Sequence, residues 1–423
     1  MTEYQRHGGT WWRHDLHAEA YPEKVRIADI EAAAAAGDEH HELADGERFV
    51  AEVNPAVAKG DLALPGMSFP APRPAVTGEA RMVQVATTFG VPASARQEFA
   101  VASDSAVREV LERSDRVLPL GGGSNVLFTA PWEGDVMRLA IAGWEVLADD
   151  GDVVDVVVGA GEVWHDFVMV AVEQGWGGVE NLALIPGSVG ASPMQNIGAY
   201  GVEIRDRFLW LEAISREDGR LKRFHASACA FGYRESVFKT TERDKWIIVR
   251  VAFRLQRSAP VRLDYGAITE TLAALGKQAP FGFKDVAQAV MHIRRTKLPD
   301  PAELGNAGSF FKNPVVSAET HARLKAEHPD VAAYPLEDGT VKLAAGWLID
   351  RAGWKGHRRG THGVHDRQAL VLVNLGGATG SEILQLASDI QADVRQRFGV
   401  DLEREVNAVP EGAGHDQKAG QGM

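Results

Sequence analysis

Residues 185–201 read IPGSVGASPMQNIGAYG, a stretch with no charged side chain, four glycines and the adjacent amides Gln195 and Asn196. The uncharged run around it, 181–202, has about the length of a membrane-spanning helix, but Pro186, Pro193 and the amides would break that helix and strand polar groups in lipid. A loop of this length inside a compact domain is usually functional. Small residues and two amides suit close backbone approach to a large planar ligand with several polar edges. Upstream, LGGGSN at 120–125 follows an apolar run and precedes Val126, Leu127 and Phe128. Adjacent glycines let successive N–H groups turn toward an anion, as a pyrophosphate cradle requires. A short apolar run and Pro131 follow rather than a helix, so the dinucleotide fingerprint is not met. Taken alone, a tight turn explains these glycines as well as a phosphate site does.

The 423 residues carry 45 basic and 58 acidic side chains, a net charge of -13. That balance argues against a surface built to neutralise nucleic acid or an anionic membrane, and toward small-molecule partners held in local basic pockets. The one cysteine, Cys229, excludes an intramolecular disulfide and a thiolate-rich metal site, and fits a reducing compartment. The polar start MTEYQRHGGTWWRHD lacks a secretory pattern. A soluble, cytoplasmic protein is expected.

Residues 1–80 differ from the rest: 7 basic against 14 acidic side chains, an alanine run at 32–36 and scattered prolines mark an acidic appendage. The cluster DEHHE at 38–42 lacks the i,i+4 histidine pair of a zinc helix and reads as a solvated loop. From Val85 onward, strand patterns at 116–120, 153–159, 208–214 and 245–255 and a helix over 163–174 predict mixed α and β structure. Residues 261–278 read as a connector. A helix is expected over 285–296, then helices over 318–327 and 381–398, with Ser381 and Gly399 at the ends of the last, and a strand over 369–374.

Two glycine loops separated by a strand and helix resemble the flavin-binding half of the para-cresol methylhydroxylase-type FAD fold. The resemblance sharpens to the UDP-N-acetylenolpyruvoylglucosamine reductase family, type I subclass. It is carried, in family order, by LGGGSNVL (120–127), ENLALIPGSVGASPMQNIGAYGVE (180–203), FGYRESVFK (231–239), TKLPDPAELGNAGSFFKNPV (296–315), KLAAGWLID (342–350) and LEREV (402–406). The fold implied is α+β: a two-subdomain FAD-binding domain over 84–256, a connector over 257–280 with a substrate-facing loop, and a C-terminal α+β substrate-binding domain over 281–410. An N-terminal extension over 1–83 and a disordered tail over 411–423 flank them. Translation from Met82 is expected, with the extension a start-site artefact; the intact mass of native protein tests this.

The family reduces an enolpyruvyl ether with NADPH through non-covalent FAD, yielding UDP-N-acetylmuramate for peptidoglycan. The resemblance therefore implies a UDP-sugar substrate, a monomer, and no metal. Three chemical needs follow: a cation for the developing enolate, a proton donor for the α-carbon and a polar partner near the carboxylate. By motif match these are Arg234, Ser309 and Glu405. The matched loops assign the flavin to Gly121, Gly122, Gly123, Ser124, Asn125, Leu127, Pro186, Gly187, Ser188, Val189, Gly190, Ala191, Gln195, Asn196, Gly198, Ala199 and Tyr200. Tyr233, Tyr265, Arg294, Lys297, Asn313, Tyr334 and Gln368 are assigned to the sugar nucleotide. A sugar or alcohol oxidase on the same flavin fold is the alternative.

Two further motifs are read as structural: the glycine turn at 374–381 as an ordinary strand-to-helix turn, and His357, His362 and His365 as no metal site, because Arg358, Arg359 and Arg367 crowd them. The sequence departs from the family pattern at Thr87, where the family has asparagine, and at Asn407, where it has an arginine near the catalytic glutamate.

Overall fold

The structure, a computed structural model, describes residues 82–410 apart from Gly266, together with short strands between residues 2 and 50. The N-terminal extension expected over 1–83 and the tail expected over 411–423 therefore fall largely outside the described residues.

Two sheets build the flavin half. The first uses β1 (Val83–Gln84), β2 (Ser94–Val101), β3 (Val117–Leu120) and, after the short β4 (Val126–Phe128), β5 (Trp132–Leu139), in the order β1-β2-β5-β3. Helix α1 (Asp104–Arg113) makes the crossover between the parallel-aligned strands β2 and β3. The second sheet is antiparallel: β6 (Trp144–Asp149), β7 (Val153–Gly159), β8 (Phe208–Ser215), β9 (Leu221–His225) and β10 (Trp246–Gln256), ordered β6-β7-β10-β8-β9.

A register shift in β10, where Val249 is extra between Ile248 and Arg250 opposite β8, lets one strand serve both sheets. Ile247 and Val249 pack with Val107, Val110 and Met137 of the first subdomain, whereas Ile248, Val251, Phe253 and Leu255 turn into the larger core. That core receives α2 (Trp164–Glu173) through Trp164, Phe167, Val168, Ala171 and Val172, the stripe of an amphipathic helix. The helix was expected over 163–174, and its ends agree to a residue.

Two expectations change. The connector contains a helix, α3 (Ile268–Ala274), which buries Ile268 and Leu272. The helix expected over 285–296 is α4 (Phe283–Lys297), and it packs Val286, Ala289, Val290 and Ile293 into the core of the flavin half, not into the C-terminal domain. Its apolar spacing is right for either surface, so sequence could not choose between them.

The C-terminal domain contains α5 (Ala318–Glu327), α6 (Ala345–Arg351) and α7 (Gly380–Phe398) with two small three-stranded sheets. Its core joins Leu348, Ile383, Leu386, Ile390 and Phe398 to Phe310 and Phe311, and also to Phe89 and Leu127 of the flavin half. The cap of α7 is Thr379, in a reciprocal capping box with Glu382, rather than Ser381, whose hydroxyl donates to Thr129 O at 2.8 Å. A last strand, Asn407–Val409, runs parallel to β4. It thereby sets Glu405 against the glycine turn between β3 and β4. The architecture is α+β, as expected.

Candidate active site

The two glycine loops face each other at contact distance. A Cβ on Gly122 would lie 3.4 Å from Gly187 Cα, and one on Gly121 would overlap Ser188 Oγ. Gly187 has φ +116, and a Cβ there would stand 2.9 Å from Ser124 Oγ. Arg138 braces the turn from behind, donating to Gly121 O at 2.8 Å and Ala86 O at 3.1 Å. The hydroxyls of Thr87 and Ser188 are buried without a hydrogen-bond partner among the described residues. A turn of bare glycine backbone facing a second glycine loop, with spare hydroxyl donors on both sides, fits an anionic cofactor such as the pyrophosphate of FAD. Thr87 and Arg138 were not read from sequence as part of this region.

The long loop holds its shape through non-glycine residues at positive φ: Leu184 (60), Asn196 (44) and Tyr200 (50). Asn196 is fully buried, and its side chain is used by the protein: Nδ2 donates to Glu203 Oε2 and Gly232 O, each at 2.9 Å, and Oδ1 accepts from Arg205 N at 3.2 Å. His165 Nδ1 accepts from Leu184 N at 3.0 Å, and Leu184 O accepts from Arg294 Nε at 3.1 Å. Burial pushes the Arg294 guanidinium below its ordinary pKa, while a hydrogen bond to the Tyr200 side chain opposes that shift. Tyr200 stands edge-on to Tyr265, with ring centroids 6.5 Å apart.

Arg234, Ser309 and Glu405 come from distant segments to one place. Arg234, at φ +53, donates from Nη2 to Gly198 O at 2.6 Å and sets Nε 3.2 Å from Glu405 Oε1. Its segment is tied to the long loop by Ser236 Oγ, which donates to Met194 O at 2.7 Å. Ser309 bridges to Val371, and the next residue, Phe310, accepts from Glu405 N at 2.9 Å. The proton-donor candidate therefore sits one residue from the chain that carries the carboxylate. Burial raises the pKa of Glu405, against the opposing pull of Arg234, Lys239 and Lys312. Lys312 pairs with Glu403 at 2.6 Å and Glu235 at 3.5 Å. Gln195, expected at the flavin, also donates to Glu405 Oε1 at 3.1 Å. Neither lysine, nor this second role of Gln195, was found from sequence.

A cavity of about 330 Å³ opens beside this cluster, lined among others by Tyr265, Asn313, Tyr334 and Gln368. Tyr233, Arg294 and Lys297 lie outside its lining. Tyr233 remains adjacent, hydrogen-bonded to Asn313, with Lys342 Nζ 4.7 Å from its ring centroid. Lys297 is exposed at the end of α4, where Arg367 donates to Thr296 O at 3.1 Å. Trp347, Asp350, Lys355 and Arg367 complete much of the wall and were not expected. Lys355 pairs with Asp350 at 2.9 Å.

The two motifs read as structural have structural work. Asn374 donates to Phe89 O and Gly90 O at 3.1 and 3.0 Å and accepts from Gly376 N at 2.9 Å. His365 Nδ1 accepts from Arg367 N and Gln368 N at 3.3 and 3.2 Å, which shapes the turn carrying two cavity residues. Among the described residues no group of three or more potential ligands is placed to hold a metal ion. Asn407 donates to Asn125 O from both its backbone N, at 3.1 Å, and its Nδ2, at 3.0 Å.

Comparison with known proteins places these motifs. Residues 300–409 match the family model for the C-terminal domain of UDP-N-acetylenolpyruvoylglucosamine reductase, and residues 101–225 match an FAD binding domain. The UDP-N-acetylenolpyruvoylglucosamine reductase of Pseudomonas putida is 52% identical over 324 residues, covering 76% of this chain and 95% of its own. That of Azoarcus sp. strain BH72 is 50% identical over 344 residues, 79% of this chain and 98% of its own. Among solved structures, the UDP-N-acetylenolpyruvylglucosamine reductase of Thermus caldophilus aligns with 78% of this chain and 99% of its own, at a TM-score of 0.52 and 25% identity.

Proposed function

The chain belongs to the UDP-N-acetylenolpyruvoylglucosamine reductase family, and from that premise we infer that it reduces the enolpyruvyl group of UDP-N-acetylglucosamine enolpyruvate to UDP-N-acetylmuramate. The reaction uses NADPH and FAD and serves peptidoglycan precursor synthesis. The observation that carries this reading is the Arg234–Glu405 pair, 3.2 Å apart, set between the flavin loops and the segment bearing Ser309.

The glycine turn and the long loop hold FAD without a covalent tether. When bound, FAD supplies the hydride that NADPH donates and that the β-carbon of the vinyl ether accepts. Addition there breaks the carbon–carbon π bond and sends its electron pair to the α-carbon, spread into the carboxylate. The guanidinium of Arg234 faces that developing charge in a partly buried setting, where a cation is worth more than in water. Ser309 Oγ–H then transfers its proton to the α-carbon, and solvent restores the serine. A hydroxyl is a weak acid, but a carbanion is far more basic than an alkoxide, so the transfer needs only close placement. Glu405, polarised by Arg234, completes the carboxylate side. Tyr265, Asn313, Tyr334 and Gln368 on the cavity wall, with Tyr233 beside them, receive the sugar nucleotide; Arg294 instead braces Tyr200 and Leu184 O of the long loop, and Lys297 stays exposed at the end of α4.

An oxidase would need the glycine loops but not Ser309 and Glu405 together. The enzyme is read as cytoplasmic, a reading supported by its nucleotide-sugar substrate and its one, buried thiol, and as a monomer from the family resemblance alone; no helix among the described residues is long and apolar enough to cross a membrane. Anaerobic absorbance spectroscopy tests the activity. Bound flavin should bleach with NADPH and recover its colour on addition of UDP-N-acetylglucosamine enolpyruvate; recovery with oxygen alone would transfer the function to an oxidase.

A further inference from the structure

Glu405 is gripped at one oxygen. Arg234 Nε lies 3.2 Å from Oε1, and Gln195 Nε2 donates to the same atom at 3.1 Å. Gln195 cannot turn its amide over, because its own Oε1 accepts from Asn125 Nδ2 at 2.9 Å, and the flipped amide would set N–H against N–H. Asn125 is fixed in turn. Its Nδ2 also approaches Glu405 O at 3.3 Å, and its carbonyl accepts both Asn407 donors. A polar chain thus runs from the last strand through the glycine turn and the long loop, back to the carboxylate.

We propose that Gln195, clamped by Asn125 and Asn407, is the positioning residue that commits Glu405 Oε1 to the protein and presents Oε2 to the substrate. The proposal deepens the reductase reading and rests on it. With two N–H donors on Oε1, a proton on this carboxyl resides on Oε2. The charged and titratable groups around the carboxyl are Arg234, Tyr233 and Lys239 from the 231–239 segment and Lys312 from the 309–313 segment. A neutral amide N–H adds to the three cations in favouring the ionised form. Loss of the Gln195 donor therefore moves the titration of Glu405 to higher pH.

The test follows the pH dependence of two quantities in flavin-loaded protein: single-turnover flavin reoxidation by UDP-N-acetylglucosamine enolpyruvate, and calorimetric binding of UDP-N-acetylmuramate to the oxidised enzyme. The limb belonging to Glu405 is the one that Glu405→Gln abolishes. Gln195→Leu should raise that limb by about one to two pH units in both measurements. Asn125→Ala, which frees the amide to flip, should move it in the same direction, and the double variant should go little further than Gln195→Leu alone. An unmoved limb in Gln195→Leu, or full additivity of the two substitutions, overturns the proposal. If Gln195→Leu is purified without flavin, Asn125→Ala carries the test alone, and a limb at the wild-type position overturns it. Wild-type flavin that the sugar nucleotide fails to reoxidise at any pH would instead refute the reductase reading.

Discussion

The flavin cradle and the carboxylate cluster beside it are built by opposite means. In the cradle, backbone faces backbone: a Cβ on Gly122 would already touch Gly187, 3.4 Å from its Cα, and one on Gly121 would overlap Ser188 Oγ. Around Glu405, side chains from four separated segments meet head to tail, through Arg234, Gln195, Asn125 and Asn407. A site of the first kind tolerates little added volume, least of all at Gly121. One of the second kind accepts small changes of volume but not the loss of a donor, because each partner left behind is a buried polar group without its bond.

The sharpest way to break this contrast is Gly121→Val. The new side chain would overlap Ser188 and close the cradle, so the purified protein should lose its flavin absorbance, with affinity down about 100-fold if overpacking costs about 3 kcal/mol. Retention of flavin would show that the cradle opens more readily than its backbone contacts suggest. Ser309→Ala examines the other side. It adds no volume, so flavin and its bleaching by NADPH should persist while reoxidation by the enolpyruvyl substrate slows by about 10²–10⁴-fold. Full activity would remove Ser309 from the proton path.

The smallest effect concerns the cavity wall. Burial lowers the pKa of His365, and its Nδ1 accepts two backbone N–H groups only when unprotonated. The unfolded state therefore binds a proton more readily, so this contribution to stability is present above the ordinary histidine pKa near 6.5 and is lost as pH falls below it. Wild-type melting temperature should drop between about pH 7 and 5, and His365→Gln should flatten part of that drop. Identical pH slopes would assign the acid sensitivity elsewhere; His362, also buried and shifted downward, is the next candidate.

This contrast also explains what could be read before the fold was known. Helix α5 matches its expected ends because Ser317 caps it locally, accepting from Thr320 N at 3.2 Å. The glycine loops were legible for a related reason: positive φ and close approach write themselves into composition at the residue concerned. Helix α4 was found but given to the wrong core, since an apolar stripe states that a face is buried and not against what. Trp347, Asp350, Lys355 and Arg367 reach the cavity from two separate segments, and no local pattern marks that meeting. Gln195 was assigned to the flavin alone, because its partner Glu405 lies 210 positions away. His365 was read from sequence only as one of three clustered histidines, and its role in shaping the turn of Gln368 became visible only with the backbone in place.

The parallel pairing of Asn407–Val409 with Val126–Phe128 has a consequence for timing. Thr129 N donates to Val409 O across 280 positions, and the whole Glu405 cluster hangs on the same closure. During synthesis the glycine turn leaves the ribosome long before its partner strand exists, and contacts so distant in sequence form late. The Glu405 cluster can assemble only after the segment through Val409 has been released, and a message truncated a few codons before Asn407 would yield a protein that carries the glycine turn without the strand that closes on it.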